Sequence, residues 1–139
     1  MPRPINEAAD AIDLRPRVVN TNAIVGSPAA AAETIVAQTA AIGDVSVQAG
    51  VLLFGWVAFT VGTSGTAATL RIRQTNVAGT VVATSGALTV TAANLVGPSI
   101  LGFDAAAVSP SQVYVLTLTI TAGAAVSTVS AVQLTGIID

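Results

Sequence analysis

The chain has 139 residues, a net charge of −2, 53% apolar, 4% aromatic and 9% charged residues, and neither His nor Cys. That length suits one domain with a real core, while charge so far below the usual figure of about 25% makes a surface easier to account for in an assembly than on a lone monomer. Five scattered arginines with no Lys exclude a nucleic-acid face, and without thiols or imidazoles the chain has no disulfide and none of the common nucleophile–base pairs.

Residues 1–33 differ from the rest. They hold seven of the twelve charges, Arg3, Glu7, Asp10, Asp13, Arg15, Arg17 and Glu33, and four of the six prolines. Ile5, Ala8, Ala9 and Ile12 have helical spacing, with Asn6 as a cap, but Pro4 and Pro16 limit any helix to two or three turns. So short a helix is marginal alone in water. The stretch reads as an extended N-terminal arm and linker, 1–33, either a frayed tail or an arm that orders against a neighbour or scaffold. Glu7, Asp10 and Asp13 stand where a secretory signal would have its apolar core, so folding in the cytoplasm is expected. Ser27 and Pro28 have the chemistry of a helix start, after which residues 34–38 turn to β-prone types and lead toward the first strand.

From residue 34 to 139 the pattern is that of one β-domain. Residues 45–48 alternate. The central stretch, Val51–Val61, holds the only Trp and two of the three Phe residues. On a strand, Val51, Leu53, Val57, Phe59 and Val61 share one side and Leu52, Phe54, Trp56 and Ala58 the other. Both sides are apolar, whereas a strand facing solvent alternates apolar with polar. One side is expected to meet the chain's own core and the other a further copy of the chain. The run is too short for the roughly 20 residues of a membrane-spanning helix, and no membrane partner is expected.

Residues 62–66 read as a turn. Leu70 and Ile72 then face inward and Arg71 and Arg73 outward. Asn76 to Gly79 is a hairpin turn. Residues 80–83 and 87–91 are strands flanking Ser85 and Gly86, and residues 99–104 follow Gly97 and Pro98. Tyr114, Leu116, Leu118 and Ile120 alternate with Val113, Val115, Thr117, Thr119 and Thr121, and residues 126–138 close the chain. About eight short strands punctuated by Gly, Ser, Asn and Pro make an all-β chain, an antiparallel β-sandwich or jelly roll.

Chemistry is sparse. Beyond the arm the acids are Asp44, Asp104 and Asp139, too few for a paired-carboxylate hydrolase unless Asp44 and Asp104 converge, and Asp104 suits a turn cap. No ligand set for a metal or cofactor is present, and residues 62–65 lack the ending of a phosphate loop. Arg71 and Arg73 serve either a solvated face or acidic groups of a neighbouring subunit. Trp56 and Tyr114 suit a sugar-stacking site or, with more support for Trp56, a core. No enzyme activity is expected.

Residues 45–50 leading into Val51–Val61, residues 68–73 and 112–121, and the closing strand at 131–138 give an aromatic strand, a Leu-x-Ile strand and a Tyr-x-Leu-x-Leu strand in that order. The stretch from Gly43 to Ile138 thereby resembles small jelly-roll modules of virus particles and fibre tips, including trimers like tumour necrosis factor. An arm followed by a small sandwich is similar to the head decoration (cement) proteins of tailed phages, which sit as trimers on the capsid exterior. The resemblance implies a homotrimer that stabilises a capsid made in the host cytoplasm, with the major capsid protein as partner. It implies arm contacts to the shell from Pro4, Ile5, Ile12, Leu14, Arg15 and Arg17. It places an oligomer interface at Leu52, Phe54, Trp56, Arg71 and Arg73. The competing reading is a fibre or spike knob that binds a host receptor or glycan through its loops. A major capsid protein is disfavoured by the short chain.

Overall fold

The computed structural model describes residues 17–26, 31–42, 50–62, 66–91, 95–105, 112–121 and 127–138, and every regular element among them is a strand. These are β1 (Arg17–Thr21), β2 (Glu33–Gln38), β3 (Val51–Val61), β4 (Thr66–Gln74), β5 (Val81–Thr84), β6 (Leu88–Val90), β7 (Ser99–Asp104), β8 (Tyr114–Thr121) and β9 (Ser127–Ile138).

The strands form two antiparallel sheets. The first has the order β1-β9-β3-β7, and the second β2-β8-β4-β5, with β6 also on β4. β5 faces Arg71–Arg73 of β4 and β6 faces its start, Thr66–Ala68, so the two act as one interrupted strand. At the interruption Ser85 stays tied to Leu70, donating its N–H to the Leu70 carbonyl and accepting the Leu70 N–H on Oγ, both at 2.9 Å. With β5 and β6 counted together, the first strand pairs with the last, the second with the last but one, and so inward. A long antiparallel ribbon rolled into two sheets in this way is a jelly roll.

The core lies where the inner sides of the sheets meet. Val51, Leu53, Val57, Phe59 and Val61 of β3 point into it, as the period of two requires. Leu70 and Ile72 of β4 and Tyr114, Leu116, Leu118 and Ile120 of β8 oppose them. β9 carries one extra residue, Ser130, against Ala58 and Phe59, and this bulge lets both Val129 and Val132 face inward. Gly55 lies on the inner side of β3, where a Cβ would come within 2.8 Å of Leu116 Cδ1, so the second sheet closes directly over the glycine.

The turn between β4 and β5 has the expected chemistry. Asn76 Oδ1 accepts the Ala78 N–H at 2.8 Å, the Asn76 carbonyl accepts the Gly79 N–H at 3.0 Å, and Thr75 takes a positive φ of 65°. A Cβ on Gly79 would overlap the Gln74 carbonyl oxygen, so this turn admits only glycine there.

Two expectations change. β1, at Arg17–Thr21, pairs with β9 along its whole length, so the sandwich begins inside the stretch that composition sets apart as arm and linker 1–33. Residues 34–38 accordingly belong to the second strand and not the first. The helix start at Ser27 and the strand at 45–48 lie outside the described residues.

Candidate functional site

The outer side of the first sheet is apolar and open. Its strands place residues in register rows. Val18, Ile137, Leu52 and Phe103 form one row across β1, β9, β3 and β7, and Asn20, Thr135, Phe54 and Leu101 form the next. Gln133, Trp56 and Ser99 make a third. Val18 is 60% exposed, Leu52 40%, Phe54 39%, Leu101 65% and Phe103 55%. Trp56 is half-buried, with the backbone at Gly97 so close that a Cβ there would lie 3.1 Å from its indole Nε1. Asn20 and Thr135 join by a 2.9 Å side-chain hydrogen bond. No described residue in these rows carries a charge.

The outer side of the second sheet is different. Glu33, at the start of β2, receives Arg73 of β4 through two hydrogen bonds, Nε to Oε1 at 2.7 Å and Nη2 to Oε2 at 2.9 Å. Thr117 of β8 lies between and donates its hydroxyl to Oε1 at 2.6 Å, while Arg71 reaches Oε2 at 3.4 Å. Arg73 also donates to the Gly79 carbonyl at 3.0 Å, tying the hairpin to the clamp. The Glu33 side chain is only 19% exposed. Burial pushes its pKa up, but the hydrogen bonds from Arg73 and Thr117 and the charges of Arg73 and Arg71 outweigh that and hold it below the ordinary value of 4.5. The same pairing raises Arg73 further.

A carboxylate held below its ordinary pKa stabilises the fold above the unfolded value, and that stabilisation is lost as pH falls through the folded value. Glu33→Gln is therefore expected to cost about 1–2 kcal/mol near neutrality. The gap between parent and variant should close as the pH drops below 4.5. Urea midpoints for both chains across that range check it, and a gap independent of pH would show that the carboxylate charge contributes nothing.

Between the sheets lies a second polar group. Asp104, at the end of β7, is buried and accepts the Tyr114 hydroxyl at 2.7 Å and the Gln74 amide at 2.6 Å, both on Oδ2. The contact joins the first sheet to β8 and β4 of the second. Burial, then the hydrogen bond and charge of Asp104, push the Tyr114 phenol far above its ordinary pKa. Asp104 thus links the two sheets, and the turn it is expected to cap runs into residues outside the described ones.

The five residues expected at one oligomer interface divide between two opposite surfaces. Leu52, Phe54 and Trp56 share the apolar outer side of the first sheet, and Arg71 and Arg73 belong to the Glu33 clamp of the second. Tyr114 is fully buried and Trp56 is the ring near the surface, which reverses the order expected for the two. Sequence reasoning passed over Leu101, Phe103, Val18 and Ile137. Of the arm contacts, Pro4, Ile5, Ile12, Leu14 and Arg15 lie outside the described residues, as does Asp44, and Arg17 opens β1.

An open groove of about 520 Å³ runs between residues 85–88 and 96–99, and its polar side chains are those of Ser85 and Ser99. None of its described lining residues carries a group able to act as an acid or base near neutral pH. Among the described residues no three carboxylates gather as metal ligands, and no helix is long and apolar enough to cross a membrane.

No family model matches the sequence, and no curated protein matches it. The fold does have solved counterparts. A structure of the Gt strain of infectious bursal disease virus is similar over 90% of this chain and 32% of that one, at 18% identity and a TM-score of 0.64. A mutant VP2 protein of the same virus in derived T=1 particles matches over 90% and 32%, at 17% identity and a TM-score of 0.63. The VP2 subviral particle matches over 90% and 33%, at 16% identity and a TM-score of 0.59. The chain spans about a third of the length of these proteins. At such identities the likeness is one of fold: this chain and a third of those viral proteins share a β-sandwich.

Proposed function

We propose that the chain is a structural protein of a virus particle, a decoration protein that sits as a homotrimer on the capsid exterior and stabilises it. The observation behind this reading is the outer side of the first sheet, an apolar surface whose described residues carry no charge, on a fold shared with a viral VP2 protein. A protein whose work is contact gains affinity from repeated apolar burial and from multivalency on a lattice. The segment before β1 supplies the grip on the major capsid protein, through Pro4, Ile5, Ile12, Leu14 and Arg15, together with Arg17 at the start of β1. Such an arm adds contact area at an entropic cost of ordering.

The test uses the full chain with Ile5, Ile12 and Leu14 all replaced by Ser. These positions precede β1, so folding and native mass are expected to stay as in the parent. Co-sedimentation with undecorated capsids of the cognate virus is expected to fall at least tenfold. Full decoration by the substituted chain would remove the arm from the contact, and failure of the parent to bind any capsid would remove the decoration role.

A further inference from the structure

We infer that the outer side of the first sheet is where copies of this chain meet one another. This deepens the reading above, since it names the surface behind the expected homotrimer.

Area is the first argument. Taking about 200 Å² for a large side chain, the five side chains Val18, Leu52, Phe54, Leu101 and Phe103, each about half exposed, present about 500 Å² of apolar surface. That is at the upper end of what a monomer leaves to water. Stable interfaces bury about 800 Å² on each partner, of which about 65% is apolar between identical subunits. The product is close to 500 Å², so contact with other copies of the chain is enough to cover the patch.

Chemistry selects the partner. Without a charge among the described residues of the face, two copies meet there with no like-charge repulsion. A nucleic acid or an anionic membrane would need cations there, and the described residues of the face have none. Its polar members, Asn20, Ser99, Gln133 and Thr135, each hold both donor and acceptor atoms, so the same group on another copy can satisfy them. A sheet face also packs well on a sheet face, at about 10 Å. The second sheet presents its Glu33 clamp outward instead, with Arg71 and Arg73 already paired inside the chain. The copy contact therefore excludes both arginines and includes Leu101 and Phe103.

Native mass of the full chain across about 1–100 μM and a salt series tests this. The parent is expected to be an oligomer whose mass does not change with salt, because apolar contacts are not screened. Leu101→Ser with Phe103→Ser, on the outer side of edge strand β7, is expected to weaken association at least 100-fold with an unchanged far-UV spectrum. If that pair fails to fold, Val18→Thr on β1 gives the milder version, expected at least fivefold weaker. Arg71→Gln with Arg73→Gln is expected to leave the mass unchanged. A parent that stays monomeric, or a β7 variant that keeps the parent's mass, overturns the inference. So does dissociation by the arginine pair alone. Capsid co-sedimentation on the same samples reports the particle role separately: a monomeric parent that still decorates would give this face to the shell protein, which overturns self-association and leaves decoration standing.

Discussion

Replacing Phe59 by Ala is expected to destabilise the chain by about 4 kcal/mol, whereas replacing Phe54 on the same strand by Ser should cost under about 1 kcal/mol of folding stability. Phe59 points into the core and is fully buried, among the largest side chains with no contact to water. Deleting its ring loses the transfer energy and leaves a cavity between sheets already held together by Val57, Val61 and Val129. Its backbone is fixed by a pair of hydrogen bonds with Val96, both 2.9 Å, so the strand cannot simply collapse into the gap. For a domain of this size the loss corresponds to a fall in Tm of roughly 12 °C. Phe54 lies on the other side of β3 and is 39% exposed. The two substitutions should separate two properties. Phe59→Ala lowers the urea midpoint, while Phe54→Ser changes association and little else. Melts at one low concentration check this, because association itself raises apparent stability. Equal destabilisation by both would mean that the outer side is covered within the domain.

That separation was partly readable beforehand. β3 shows its two sides because Val, Leu and Phe fill one parity and Leu, Phe, Trp and Ala the other, and no polar residue interrupts before Thr60. β8 was clear for the opposite reason: Leu116, Leu118 and Ile120 alternate with threonines. The Asn76 turn was legible because its hydrogen bonds are local. β1 was not, since five residues within a charged, proline-rich stretch are too few to show a period, and only pairing with β9 makes them a strand. In β7, Ile100 and Leu101 are equally apolar, so the pattern identifies a strand without saying which side faces out. The Glu33 clamp joins residues far apart in sequence, and nothing local at Arg73 names its partner. Local chemistry was visible, and whatever depended on which strands became neighbours was not.

The Tyr114–Asp104–Gln74 group, in which the tyrosine and the carboxyl are buried and the amide partly so, is expected to make the fold sensitive to the loss of a single carboxyl. Asp104→Leu removes the acceptor for two donors, the Tyr114 hydroxyl and the Gln74 amide, and leaves both without that partner. At about 1–3 kcal/mol for each buried unpaired group, the expected cost is about 3 kcal/mol. Tyr114→Phe removes one donor and leaves Gln74 bonded, so it should cost about 1–2 kcal/mol. Combined, the two changes should cost less than their sum by about 1 kcal/mol, because the second deletes a group the first has already stranded. Additive costs would show that the hydroxyl and the carboxyl do not act together. An optical check is also available, as Tyr114 is the only tyrosine in the chain. Burial, then the bond to Asp104, raises its pKa above the ordinary 10.0, so the neutral phenol stabilises the fold below that pH. This contribution declines as alkali favours a phenolate that only the unfolded chain exposes to water. Tyrosinate absorbance should therefore stay absent above pH 10 until the far-UV signal is lost, and the two should then change together. A phenol titrating near 10 with the fold intact would show that the ring meets water and that the two sheets are not closed at this end.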